Sequence, residues 1–163
     1  MSYQEKKTIV SVATGILILA AYCIYAFGGA VMAAADGLKA WAVTILIFIG
    51  IGVVASIVIQ IVFHILLSIS IAVRKKIQDG EVDDKEVERS IEREMVEDEM
   101  DKLIGLKSMR VAFVIAGIGF IAALVSLVLG FSPAVMLNIL FISFSAGTII
   151  EGITQLYYYR KGI

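Results

Sequence analysis

Residues 8–35, 40–73 and 111–150 contain no charged side chain. A bilayer has a hydrocarbon core of ~30 Å, which ~20 apolar helical residues cross. All three stretches exceed that length. The third carries a turn signal at Gly130-Phe131-Ser132-Pro133, and Glu151 interrupts an apolar run that continues to Tyr159. The pattern predicts four crossings, at about 8–30, 40–73, 111–130 and 133–159, in one membrane domain spanning 1–163. Composition agrees: 60% of the chain is hydrophobic and 18% charged, whereas soluble domains are closer to half and a quarter.

The second stretch has 34 residues between Lys39 and Arg74. As one helix it would be about 51 Å long, and two spans with a turn need at least ~40 residues. One over-long helix is expected, with Gly50-Ile51-Gly52 the natural place for a bend. The first stretch resembles a secretory leader, with Lys6 and Lys7 before it and Ala33-Ala34-Ala35 near its end. Its apolar region is too long for one, and Tyr22 before Cys23 spoils a lipoprotein cleavage box. It is expected to be a retained helix.

Lys and Arg favour the cytoplasmic side of a span. Lys6 and Lys7 precede the first crossing, and the loop after it holds only Lys39. Residues 74–110 hold nine basic side chains, the third connection is uncharged, and Arg160 and Lys161 close the chain. Both termini are therefore expected inside, in the cytoplasmic membrane. Trp41 would lie at the outer interface and Tyr157, Tyr158 and Tyr159 at the inner one. The expected fold is all-α and polytopic: four transmembrane helices in two hairpins, N-in and C-in, joined by a charged cytoplasmic helical connector at 74–110.

That connector carries 12 acidic and nine basic residues. No Gly or Pro occurs from Asp83 to Ile104, so a helix capped by Asp83 or Asp84 and ended by Gly105 is expected. Val87, Ile91, Met95, Met100 and Leu103 form a thin apolar stripe, supported by Arg93–Glu97 and Asp98–Lys102 pairs four residues apart. Glu94 and Asp98 break any a/d heptad, which argues against a long coiled coil. The segment reads either as a solvated connector or as a docking surface for a cytosolic protein. In the second case Glu92, Glu97, Asp98 and Glu99 are the candidate contacts.

The first and third crossings align at an offset of 102, with Gly15-Ile16 facing Gly117-Ile118 and Gly28 facing Gly130. This reads as a parallel repeat or as a shared need for small residues where helices approach. Polar residues also recur inside the spans. The second crossing has Ser56, Gln60, His64 and Ser68, each four apart. The fourth has Asn138, Ser145, Thr148, Glu151 and Gln155, which fall within about 140° of one another on a helix. His64 lies ten residues before Arg74 and Glu151 nine before Arg160, so both sit ~13–15 Å in from a basic anchor. His64, Glu151, Gln60, Gln155 and Thr148 are the candidate ligand- or ion-binding residues. The alternative is interhelical glue, at ~1 kcal/mol per hydrogen bond.

Other classes are excluded or unsupported. A net charge of −1 argues against direct nucleic-acid binding through bulk positive charge. One Cys and one His exclude an intramolecular disulfide, a thiolate zinc cluster and any two-His metal site. No catalytic motif is present, so neither enzyme activity nor a cofactor or metal is expected.

The run Glu97-Asp98-Glu99-Met100-Asp101-Lys102-Leu103-Ile104-Gly105-Leu106-Lys107, leading into a span at Arg110, resembles a motif of small prokaryotic multi-pass membrane proteins of unknown function. These are often encoded beside a helix-turn-helix regulator. The resemblance covers mainly residues 97–159 and implies a regulatory or sensory role in which the acidic segment meets a partner. It carries no established activity or site residues. The expected function is accordingly a regulatory or accessory role, with lipid bilayer, a second copy of the chain (a dimer favoured) and a cytosolic protein as partners. A small-molecule or proton/cation-coupled transporter acting as a homo-oligomer is the alternative.

Overall fold

The computed structural model describes residues 3–28, 37–79 and 98–162. Among them are four helices: α1 (Tyr3–Phe27), α2 (Gly37–Asp79), α3 (Glu99–Val128) and α4 (Pro133–Lys161). All four are long and apolar enough to cross a membrane, and the chain is an all-α, multi-pass membrane protein.

α2 is one helix of 43 residues, about 64 Å long and twice the thickness of a hydrocarbon core. It runs without interruption through Gly50 and Gly52 and continues past the last apolar residues to Asp79. The excess length therefore lies at the connector end. α3 does the same from the other side, starting 12 residues before the uncharged stretch.

The start of α3 corrects two expectations. Gly105 does not end a helix; α3 runs through it. A terminating glycine adopts the left-handed conformation, and among the described residues only Gly130 (φ +83°) and Gly162 (φ +70°) do so. Gly105 is an ordinary helical residue at a cost of about 1 kcal/mol relative to Ala. Nor does Asp98 act as the acidic member of an i,i+4 pair. It is the N-cap of α3: Asp101 N–H donates to Asp98 Oδ1 at 2.7 Å, and Asp98 N–H donates to Asp101 Oδ2 at 3.3 Å. This reciprocal box satisfies two otherwise orphaned donors. The proposed caps Asp83 and Asp84, the stripe residues Val87, Ile91 and Met95, and the Arg93–Glu97 pair lie outside the described residues.

The turn between α3 and α4 forms where the sequence signals it. Gly130 takes positive φ, Phe131 N–H closes back on Ser126 C=O at 3.0 Å, and Pro133 occupies the first turn of α4 behind Ser132. Proline fits there because that N–H would lack an intrahelical partner anyway.

α4 is the hub. It packs most extensively on α3, then on α1, and more lightly on α2, which also lies against α1. Lipid supplies no hydrophobic drive for helices to associate, so close approach of backbones has to. Gly119 of α3 lies directly against the Ser143 side chain, and a Cβ on Gly147 of α4 would stand 3.1 Å from the Ala112 carbonyl oxygen. On the other side, Gly152 of α4 meets Val12, and a Cβ on Gly15 of α1 would stand 3.3 Å from Ile149. The residues that the 102-residue offset aligns are not used alike. Gly15 packs on α4, whereas Gly117 faces open space; Gly130 has positive φ, whereas Gly28 does not.

Gly147→Leu is expected to destabilise the α3–α4 pair by about 1–3 kcal/mol, because the atom it meets is backbone and cannot rotate away. Gly117→Leu, with free space around it, is expected to change stability by less than about 0.5 kcal/mol. Reversible unfolding of both variants in the same detergent measures the difference.

Candidate functional site

The two ends of the bundle have opposite chemistry. One end, near the α3–α4 turn, is sealed by aromatic residues. Tyr22 and Ala26 of α1 and Trp41 of α2 are buried together, with Phe48 of α2 and Phe141 of α4 packed against them. The Tyr22 ring stands edge-on to Phe48 at 5.2 Å and tilted against Phe141 at 4.3 Å. Its hydroxyl donates to Asn138 Oδ1 at 2.6 Å, and Asn138 Nδ2 donates to the Ala134 carbonyl at 2.7 Å. Two polar groups are thus satisfied inside an apolar plug that ties α1 to α4. Trp41, expected at the outer interface, is buried in this plug rather than turned to lipid.

The other end gathers the charges. Arg160 Nε lies 3.9 Å from Glu5 Oε1. The Lys107 ammonium sits over the Tyr158 ring at 5.7 Å and that of Lys161 over Tyr157 at 5.6 Å. The tyrosines expected at the inner interface share their level with these cations.

Between the two ends lies a cavity of about 1080 Å³, walled by α1, α2 and α4 and, at its mouth, by the first turns of α3. Its inner reach is apolar and extends past Phe48 and Phe141 to Ile45 and Leu137. Its outer part is lined by Lys7, Thr8, Asp101, Lys102, Glu151 and Gln155. Thr8 Oγ1 contacts Gln155 Oε1 at 3.4 Å, and Gln155 Nε2 donates to Glu151 Oε1 at 3.4 Å. A short polar relay thus runs from α1 to the carboxylate of α4.

The candidate residues divide. Glu151, Gln155 and Thr148 all line the cavity, as does Ser145, so four of the five residues of the fourth crossing's polar arc border one space; Asn138 is engaged by Tyr22 instead. The Thr148 hydroxyl donates to the Phe144 carbonyl of its own helix. Gln60 and His64 are not in the lining; both are exposed on α2. Among the described residues no hydrogen bond or ion pair joins His64 to Glu151. The residues that meet Glu151's neighbourhood come from α1 instead. Gln4, Thr8 and Ser11 recur at helical spacing on that helix, and this stripe was a legible signal for the missing wall. Of the docking candidates, Asp98 and Glu99 are exposed at the start of α3. Glu92 and Glu97 lie outside the described residues.

No protein family, curated protein or solved structure matches the chain.

Tyr22→Phe removes the hydroxyl from Asn138 and leaves a buried amide oxygen without its partner. A loss of about 1 kcal/mol is expected. The double variant Tyr22→Phe/Asn138→Leu is expected to recover part of it, because no unsatisfied group remains. Detergent unfolding of the three proteins provides the comparison.

Proposed function

We propose that the protein is a membrane sensor or accessory subunit: its intramembrane cavity takes a ligand, and its charged connector passes the state of that cavity to a cytosolic protein. The observation that carries this reading is the composition of the cavity wall. Glu151 and Gln155, within a span, line the same space as Asp101 and Lys102, in the first turn of the helix that emerges from the acidic segment. A ligand pressing on one set meets the other. The glycine at position 105, also in the wall, leaves that side of α3 without a side chain, so an occupant can reach its backbone.

The reading includes the topology expected from charge: two hairpins, both termini and the connector cytoplasmic. It is supported by the clustering of Lys107, Arg160 and Lys161 at one end of the bundle and by helical extensions of α2 and α3 beyond the apolar stretches at that same end. It also includes a homodimer. Gln60 and His64 lie exposed on an apolar helix, where lipid offers them no hydrogen bond. The Gln60 amide carries both donors and an acceptor and the His64 ring carries a donor, so the same face of a second copy can satisfy them. A transporter would need the same cavity to open at its far end, which the Tyr22–Phe48–Phe141 plug closes.

Filling the cavity from α4 with Ser145→Trp tests the coupling without a known ligand. Backbone hydrogen exchange at Asp101–Leu106 is expected to change several-fold while α4 itself stays protected. Unchanged exchange there would refute communication between cavity and connector. For sidedness, Ser90→Cys and Ser132→Cys are placed singly in a Cys23→Ala background. An impermeant maleimide applied to intact cells is expected to label position 132 alone. In sealed proteoliposomes no sustained proton flux is expected, and such a flux would favour the transport reading.

A further inference from the structure

We infer that the occupant of the cavity is a single-chain amphipathic amine, with its protonated nitrogen on Glu151 and its hydrocarbon tail directed toward Phe48 and Phe141. This inference rests on the reading of the cavity as a binding site and names the chemistry that the site would select.

A carboxylate offers about four acceptor positions, and one neutral amide donates to that of Glu151, at 3.4 Å. Among the described residues no Lys, Arg or His nitrogen pairs with it. Within a span, an acidic side chain faces the protein interior and seeks a cationic or donor partner. The two lysines of the lining do not supply one. Lys102 is exposed beside Asp101, and Lys7 lines the mouth without an ion pair to Glu151. An ammonium entering from the mouth brings both a positive charge and several N–H donors.

The remainder of the wall describes the rest of the ligand. Contacts between α1 and α4 run from Val12–Gly152 through Gly15–Ile149 to Tyr22–Asn138, which sets the direction from mouth to plug. Along that path the lining becomes Ile18, Leu19, Ile49, Val53 and Leu140, and it passes Phe48 and Phe141 to end near Ile45 and Leu137. The volume of about 1080 Å³ stands at the upper end of small-molecule pockets, about 300–1,000 Å³. A charged head at one end and an apolar cleft beyond it suit one chain with one polar group. An anionic head would find Lys7 and Lys102 at the rim but would then lie beside Glu151, and a neutral head would leave the carboxylate uncompensated.

The experiment uses the full chain in phosphatidylcholine nanodiscs. Dicyclohexylcarbodiimide, which modifies carboxyl groups in apolar surroundings, is applied and the product at Glu151 is followed by mass spectrometry. A water-soluble carbodiimide applied in parallel modifies exposed Glu99 and reports any general surface effect. Dodecylamine, dodecanol and dodecanoate are compared at equal mole fraction. Dodecylamine is expected to slow modification of Glu151 several-fold without slowing that of Glu99, and the other two to leave Glu151 unprotected. Radiolabelled dodecylamine is expected to be retained saturably above empty discs, at least about tenfold more weakly by Glu151→Gln. Equal protection by dodecanol or dodecanoate would overturn the amine assignment while keeping a binding cavity. Protection by phosphatidylethanolamine in the disc, with no added amine, would replace the single-chain ligand with a lipid headgroup. If no compound protects Glu151 and none is retained, the reading of the cavity as a binding site falls as well.

Discussion

In hydrocarbon, burying apolar side chains against one another gains little, because lipid tails are as apolar as leucine. What holds these helices together is the closeness of backbones on the two flanks of α4. Gly147 admits the Ala112 carbonyl of α3 on one flank, and Gly152 admits Val12 of α1 on the other. Because α4 is gripped on both sides, its polar arc has a fixed orientation, and that orientation sets where the cavity lies. α2 has no comparable glycine contact: Gly50 and Gly52 face open space. It closes the cavity as a wall, to which it contributes Ser56, but leaves Gln60 and His64 on the outside.

The polar groups of the membrane region serve two separate purposes. Around Tyr22 and Asn138 they are fully engaged and seal one end. Around Glu151 they are only loosely engaged, through 3.4 Å contacts, and they border empty space. Interhelical glue therefore accounts for the first group. The second group lines the cavity, and its side chains meet one another through these long contacts. The same division gives the bundle a polarity along its axis, closed and aromatic at one end and open and charged at the other.

Much of the architecture could be read from residue order. Four apolar crossings, a glycine–proline turn and an over-long second helix follow from hydrocarbon thickness and local backbone chemistry, and each appears in the structure near the expected residues. Errors arose where a residue has more than one local use. Glycine both ends helices and opens space on them, and Gly105 does the second. Aspartate both pairs with lysine four residues on and caps a helix, and Asp98 does the second. The Asp98–Asp101 spacing held that signal, but a charge pair competes for the same residue.

Depth along each helix was also within reach of the sequence, because it depends only on counting residues from a charged anchor. The sequence alone therefore determined that the chain is helical, that it crosses the membrane and that an acidic residue lies inside a span. Rotation was not determined. Which side of α2 faces α4 depends on how glycines and aromatic rings from three distant segments pack at once, and no periodicity within one helix encodes that. Tertiary packing therefore decided that Glu151 looks toward Gln155 and Thr8 across a cavity, while His64 remains on the outer surface of α2.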